Sequence, residues 1–476
     1  MPLIPALLQA ADKAAGLFGL HDRPFSVDRL LAKARRQTGF EDFGDTSFEE
    51  PLRLFLDACT RESSLTVFGR FATEWDVMRF LTNLLRLRAR EVSDPAIAQR
   101  PIERPIFITG LPRSGTTFLH RLMLEDPASR GPAVWETIFP LPPENGRPDK
   151  RIATVESQLK AFERIAPEFA GLHPLRATSP QECSDITAHV FRSLRLDTNY
   201  LVPSYRAWLD ARADRHVPAY AFHRRFLRHL DRQPSGRWVL KCPDHLFSLE
   251  ALRQVYPDAR IVFVHRDPIK VLLSVAQLTE VLRRPFVRHV DRADIGRAES
   301  DRWADGTARM IEADRTQPFA DPICHIHHLD LIRDPNAAVA KVYRHFGIDQ
   351  PPAMPAAIDA YVAARPNGGY RHPAYRFEDH GLVEAQERDR FRPYMDHFAI
   401  TPETGAPQAG THGKRANDQT DARRPLNPVI AGPTPVIPGL VPGTNPTASA
   451  ASGPRDKPTA VRFAPFVSAS YHSKAI

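Results

Sequence analysis

The sequence predicts an α/β fold: a three-layer parallel sheet with a P-loop-like phosphate-binding strand, loop and helix, a helical N-terminal region and a disordered C-terminal tail. Three observations carry this. Four short apolar runs, RPIFIT from Arg104, RWVLK from Arg237, RIVFVH from Arg260 and ICHIHH from Ile323, are each followed by a helical pattern. Strands buried on both faces and alternating with helices imply a parallel sheet. The first run leads into GLPRSGTT, a glycine-rich turn opening a helix. Beyond about Thr401 the chain turns to Pro, Gly, Ala, Asn and Thr without usable periodicity, a composition that cannot bury enough apolar surface to offset its ordering entropy. The expected organisation is a helical region over 1–98, an α/β domain over 99–400 with a helical insertion at about 125–235, and a tail over 401–476.

Taken in order, the start MPLIPALLQAADKAAGLFGLHDR lacks a basic leader and carries Asp12 and Lys13 inside its apolar stretch, so it reads as an amphipathic packing helix and not a secretory signal. SVDRLLAKARRQTG opens with Ser26 as an N-cap and closes at Gly39. EEPLRLFLDACTRE and EWDVMRFLTNLLRLRAREV continue the helical spacing, with Val77, Phe80, Leu81 and Leu84 on one face. Over the whole chain of 476 residues, 42% hydrophobic and 25% charged residues fit a soluble globular protein. No run of about 18 apolar residues is present, so no spanning helix is expected. Cys59, Cys183, Cys242 and Cys324 form no C-x-x-C pair, which fits a reduced, cytoplasmic location. The formal charge of +8 is spread along the chain, favouring a small polyanion over nucleic acid.

Ile106-Phe107-Ile108 is the first core strand, Gly110 to Gly115 the loop, and Thr116 to Leu124 the first helix, whose Phe118/Leu122 and Leu119/Met123 pairs give it a buried side. Loop amides and a helix N-terminus together form an anion cradle. A nucleotide triphosphate loop would place Lys after its second glycine. Here Thr116 and Thr117 follow, and the positive charge has moved inside the loop to Arg113. That suits a shorter anion than a triphosphate. Further on, Val262-Phe263-Val264 is a strand, Asp267 and Pro268 start the next helix, and Val271, Leu272, Val275 and Leu278 form its core face. Arg266 stands at the strand's carboxyl end, where such sheets bind ligands, and its planar fork suits a phosphate dianion. Ser274 lies about two turns into the helix.

GLPRSGTTFLHRLM resembles the 5′-phosphosulfate loop of sulfotransferases that use 3′-phosphoadenosine-5′-phosphosulfate (PAPS), and HRDPIKVLLS resembles their 3′-phosphate motif. WVLKCPDHLFSLEALRQVYPDARIVFVHRDP and HHLDLIRDPNAAVAKVYRHFGI are similar to segments of the bacterial type with an extended helical N-terminus. The resemblance spans roughly residues 26–400. It implies PAPS as co-substrate, with Arg113, Ser114, Gly115, Thr116, Thr117, Arg266 and Ser274 binding it, and no metal. It also implies that Lys241 stabilises the bridging oxygen of the transition state.

Two residues compete for the role of base. His245, close behind Lys241, could titrate near neutral pH, although cytosolic sulfotransferases carry their His two residues nearer the Lys. Glu136 resembles the Glu that follows the first helix in tyrosylprotein sulfotransferases and serves as base there. Either could instead be a capping or structural residue, and Glu182 and Asp185 in SPQECSD stand outside them as further candidates. Cys324, His325, His327 and His328 invite a metal, but strand alternation would send His328 to the opposite face from the other histidines. The acceptor implied is a hydroxyl or amine of a small molecule or lipid, with Phe162, Phe169, Tyr200, Tyr205, Trp208, Tyr220 and Phe222 as candidates to line its slot. A small-molecule kinase using ATP and a catalytically inactive nucleotide-binding protein are the alternatives. The sequence is silent on oligomeric state.

Overall fold

The computed structural model describes residues 12–17, 23–143, 148–172, 175–231, 236–365 and 376–403. Apart from its first three residues the expected tail lies outside these, as does most of the chain's first stretch. Helix α1 (Val27–Thr38) begins where Ser26 Oγ accepts the Arg29 amide and ends at Gly39, whose φ of 73° turns the chain out of the helix. Helices α2 (Glu49–Arg61) and α3 (Val67–Ser93) follow. Val77, Phe80, Leu81 and Leu84 are all buried, as their spacing predicts.

Five parallel strands form one sheet in the order β2-β3-β1-β4-β5. They are β1 (Ile106–Gly110), β2 (Ser129–Arg130), β3 (Arg237–Lys241), β4 (Arg260–His265) and β5 (Cys324–His327). Four match the apolar runs; β2, two residues long, adds an edge. Strand alternation sorts the core. Ile106, Ile108, Val239, Val262, Val264 and Ile326 pack on one face with Leu119, Leu122 and Met123 of helix α4 (Thr116–Met123). Phe107, Leu240, Ile261 and Phe263 pack on the other with Phe226 of helix α5 (Val217–Leu230) and Val271 and Leu272 of helix α6 (Pro268–Arg283). Each such side chain contributes roughly 1.5–3 kcal/mol on full burial. This is the three-layer arrangement.

The N-terminal helices share that second core: Phe55, Phe80 and Leu84 belong to the same apolar cluster as Phe107 and Leu240. So do Tyr200, Tyr205, Tyr220 and Phe222 of the helical insertion, while Phe162 and Trp208 pack partly buried against it. Among the described residues no helix is long and apolar enough to cross a membrane.

Candidate active site

Strand register decides which side chains meet. Ile108 of β1 lies beside Lys241 of β3, and Gly110 lies beside Val264 of β4, two residues before Arg266. The glycine loop therefore leaves the sheet between a lysine and an arginine, all at the carboxyl edge where α/β sheets bind ligands.

The loop's shape depends on its two glycines. Gly110 has φ 143°, and a Cβ there would stand 2.3 Å from the Val264 carbonyl oxygen. Gly115 has φ 103°, and its Cβ would meet His328 Nδ1 at 3.0 Å. Arg113 also takes a left-handed φ of 62°. Gly115 is the N-cap of α4 and brings no side chain to cap the first-turn amides. Ser114 is fully buried, yet its Oγ has no hydrogen-bond partner among the described residues. Unpaired buried hydroxyls are costly, and this one lies in a loop of anion-binding shape. Thr116 is buried and Thr117 half-buried at the same helix start.

Arg113 joins the loop to α6: its Nε donates to Ser274 Oγ at 3.0 Å, and its Nη1 donates to the Leu172 carbonyl at 3.0 Å. Arg266 donates from Nη1 to the Arg113 carbonyl at 2.8 Å, and its Nε and Nη2 reach the two carboxylate oxygens of Glu403 at 2.9 and 3.0 Å. Thus Arg113, Arg266 and Ser274 are brought together. Asp267 caps α6 through Ile269, as its position predicts.

Lys241 projects from the end of β3 with its side chain only 3% exposed, and its Nζ donates to Glu182 Oε1. The chain reaches Glu182 by pairing along the sheet end, with Gln181 N donating to the Pro132 carbonyl and Cys183 N to that of Lys241. Glu136 turns back on its own short helix, Val134–Ile138, where Oε2 accepts the Ala133 amide at 2.9 Å. His245 is buried, with Nδ1 2.6 Å from the Tyr220 hydroxyl and its ring edge-on to Phe107. Burial, with His223 and Lys241 nearby, holds it well below the usual imidazole range, so it does not titrate near neutrality as the sequence suggests.

His328 also departs from the strand reading: β5 stops at His327, and His328 opens helix His328–Arg333, donating from Nδ1 to the Ser114 carbonyl at 2.9 Å. It braces the loop. Among the described residues no three His, Cys, Asp or Glu side chains converge to hold a metal ion. Of the aromatic residues suggested for an acceptor slot, most are core; Tyr220 borders a cavity of about 20 Å³, beside His245 and Cys242. That is room for a water and not for a lipid.

Residues 105–352, which span the glycine loop, Lys241, Arg266 and Ser274, match the Sulfotransferase family. The chain belongs to that family. Among its relatives is the omega-hydroxy-beta-dihydromenaquinone-9 sulfotransferase Stf3 of Mycobacterium tuberculosis, 25% identical over 294 residues, covering 58% of this chain and 72% of the relative. The crystal structure of sulfotransferase STF1 from Mycobacterium tuberculosis is similar with a TM-score of 0.68 and 30% identity, over 78% of this chain and all of that one. The structure of sulfotransferase STF9 from Mycobacterium avium is similar with a TM-score of 0.72 and 28% identity, over 80% of this chain and 99% of that one. Because the similarity to STF1 and STF9 extends over most of this sulfotransferase, it takes in more than the matched family segment.

Proposed function

We propose that this sulfotransferase moves a sulfuryl group from PAPS to a hydroxyl or amine of a small-molecule or lipid acceptor. The observation that carries the reading is the buried Ser114 hydroxyl, without a partner among the described residues, in a lysine-free glycine loop beside Lys241. The loop amides with Arg113, Ser114, Gly115, Thr116 and Thr117 would hold the 5′-phosphosulfate end, and Arg266 with Ser274 the 3′-phosphate. Lys241 would stabilise charge developing on the leaving oxygen, the electrostatic demand of such a transfer.

The acceptor must also lose a proton. Of the carboxylates considered, Glu182 best fits that role, because Glu136 is engaged as a cap and Glu182 already touches Lys241. A relative named for a hydroxylated menaquinone supports a lipid hydroxyl as acceptor. Four free, buried cysteines suit a reducing cytoplasm.

Incubating the protein with sulfur-labelled PAPS and a lipid extract tests this. Label is expected in an organic-soluble product. Absence of transfer to any acceptor, with Mg²⁺-dependent phosphoryl transfer from ATP instead, overturns it.

A further inference from the structure

Arg266, the residue assigned above to the 3′-phosphate, already grips an anion. Its Nε and Nη2 donate in parallel to Glu403 Oε1 and Oε2, the two-pronged geometry a phosphate would also use. Its Nη1 is committed to the Arg113 carbonyl. One bidentate edge therefore remains, and Glu403 fills it.

The carboxylate is held there by more than its charge. The Glu403 amide donates to Asp267 Oδ2 at 2.8 Å, while Asp267 Oδ1 caps α6. Just upstream, Ile400 is buried and Phe398 lies over the His265 ring, with centroids 4.3 Å apart. Arg266 and Glu403 side chains are 20% and 18% exposed, so the pair is largely withdrawn from water. Burial alone would raise the Glu403 carboxyl, but the hydrogen bonds and charge of Arg266 outweigh it and hold the group below the usual carboxylate range. Glu403 is ionised at neutral pH.

We propose that Glu403 is the resting occupant of the 3′-phosphate seat and an internal competitor of the donor: a nucleotide's 3′-phosphate enters by displacing this carboxylate from Arg266. The proposal rests on the reading of Arg266 given above. A dianion replaces a monoanion on one guanidinium, so the exchange favours the phosphate. A nucleotide without a 3′-phosphate leaves the pair intact. Glu403 thus lowers affinity for 3′-phosphorylated ligands selectively, because only they require the seat to be vacated.

Calorimetric titration of the full chain with 3′-phosphoadenosine-5′-phosphate and, separately, adenosine 5′-monophosphate tests this in the wild type, Glu403→Gln and Glu403→Asp. Gln preserves size and an oxygen for Arg266, and thermal melts verify folding. Glu403→Gln is expected to bind the bisphosphate about tenfold more tightly while the monophosphate changes less than about twofold. Glu403→Asp, with its carboxylate retracted, shifts the same way by less. Unchanged bisphosphate affinity, or equal tightening of both ligands, overturns the role of Glu403 and leaves the donor site standing. Failure of every form to bind the bisphosphate removes the 3′-phosphate assignment of Arg266 and this proposal with it.

Discussion

Arg113 Nε donates a hydrogen bond to Ser274 Oγ at 3.0 Å, tying the glycine loop to helix α6 across 161 positions of chain. The two halves of the proposed donor site are therefore pre-aligned, and effects of substitution at Arg113 and Ser274 should be non-additive. Ser274→Ala is expected to weaken 3′-phosphoadenosine-5′-phosphate about tenfold and Arg266→Ala about a hundredfold, since charge-assisted bidentate contacts are the stronger. Calorimetry reads both. Wild-type affinity in Arg266→Ala would remove the assignment.

Lys241→Met should separate binding from turnover. Its proposed partner is charge on the leaving oxygen, which develops only in the transition state. A fall in kcat of about 10²–10³ is expected, with intact PAPS bound within about threefold of wild type. Equal losses in both would mean that Lys241 merely binds the ground state.

The base can be identified by comparing amides. Glu182→Gln should lower kcat by about 10²–10⁴ and remove the acidic limb of the pH–rate profile. Glu136→Gln should cost about 1 kcal/mol of stability through its cap and leave turnover within about threefold. The reverse pattern transfers the role to Glu136.

Buried histidines predict acid sensitivity. His120, His189 and His223 are each held at about 3 by burial, against 6.5 when solvated. The unfolded chain therefore takes up protons first as pH falls. Their neutral-state stability is complete above pH 6.5 and drains progressively from there toward pH 3, at up to about 1.4 kcal/mol per unit for each ring. Unfolding midpoints in urea between pH 8 and 5 should drop below pH 6.5. A flat profile would contradict their neutral burial.

The loop glycines should differ in how they fail. Gly110→Ala forces a methyl group onto the Val264 carbonyl, which the sheet cannot move, so a loss of more than about 3 kcal/mol is expected in denaturant melts. Gly115→Ala meets the His328 ring, which can turn. It should fold, yet bind the bisphosphate at least about tenfold more weakly, because the helix amides shift.

Strands β1, β3, β4 and β5 were legible because double-sided burial writes continuous apolar runs. Strand β2 was not, since Ser129 and Arg130 carry no such pattern and are recruited by pairing with β3. Arg113, Lys241 and Arg266 carry local signals, a glycine loop and two strand ends, while the roles proposed for them come from the resemblance to the family. Glu182 and Glu403 sit opposite Lys241 and Arg266 from 59 and 137 positions away, and nothing local in the chain announces such partners. For His245 and the insertion aromatics, residue type is the same in a slot and in a core, and only tertiary packing separates the two. At His328 the run of histidines continues the strand pattern and hides the helix that starts there.

The apolar cluster that joins Phe55 and Phe80 to Phe107 and Leu240 has a practical outcome. A chain trimmed to begin at residue 99 would keep every side chain assigned to chemistry, yet leave a greasy wall of the sheet open to water. Such a fragment should clump rather than turn over substrate, so the opening helices are a fixed lining of the catalytic body and not an appendage that can be cut away or swapped.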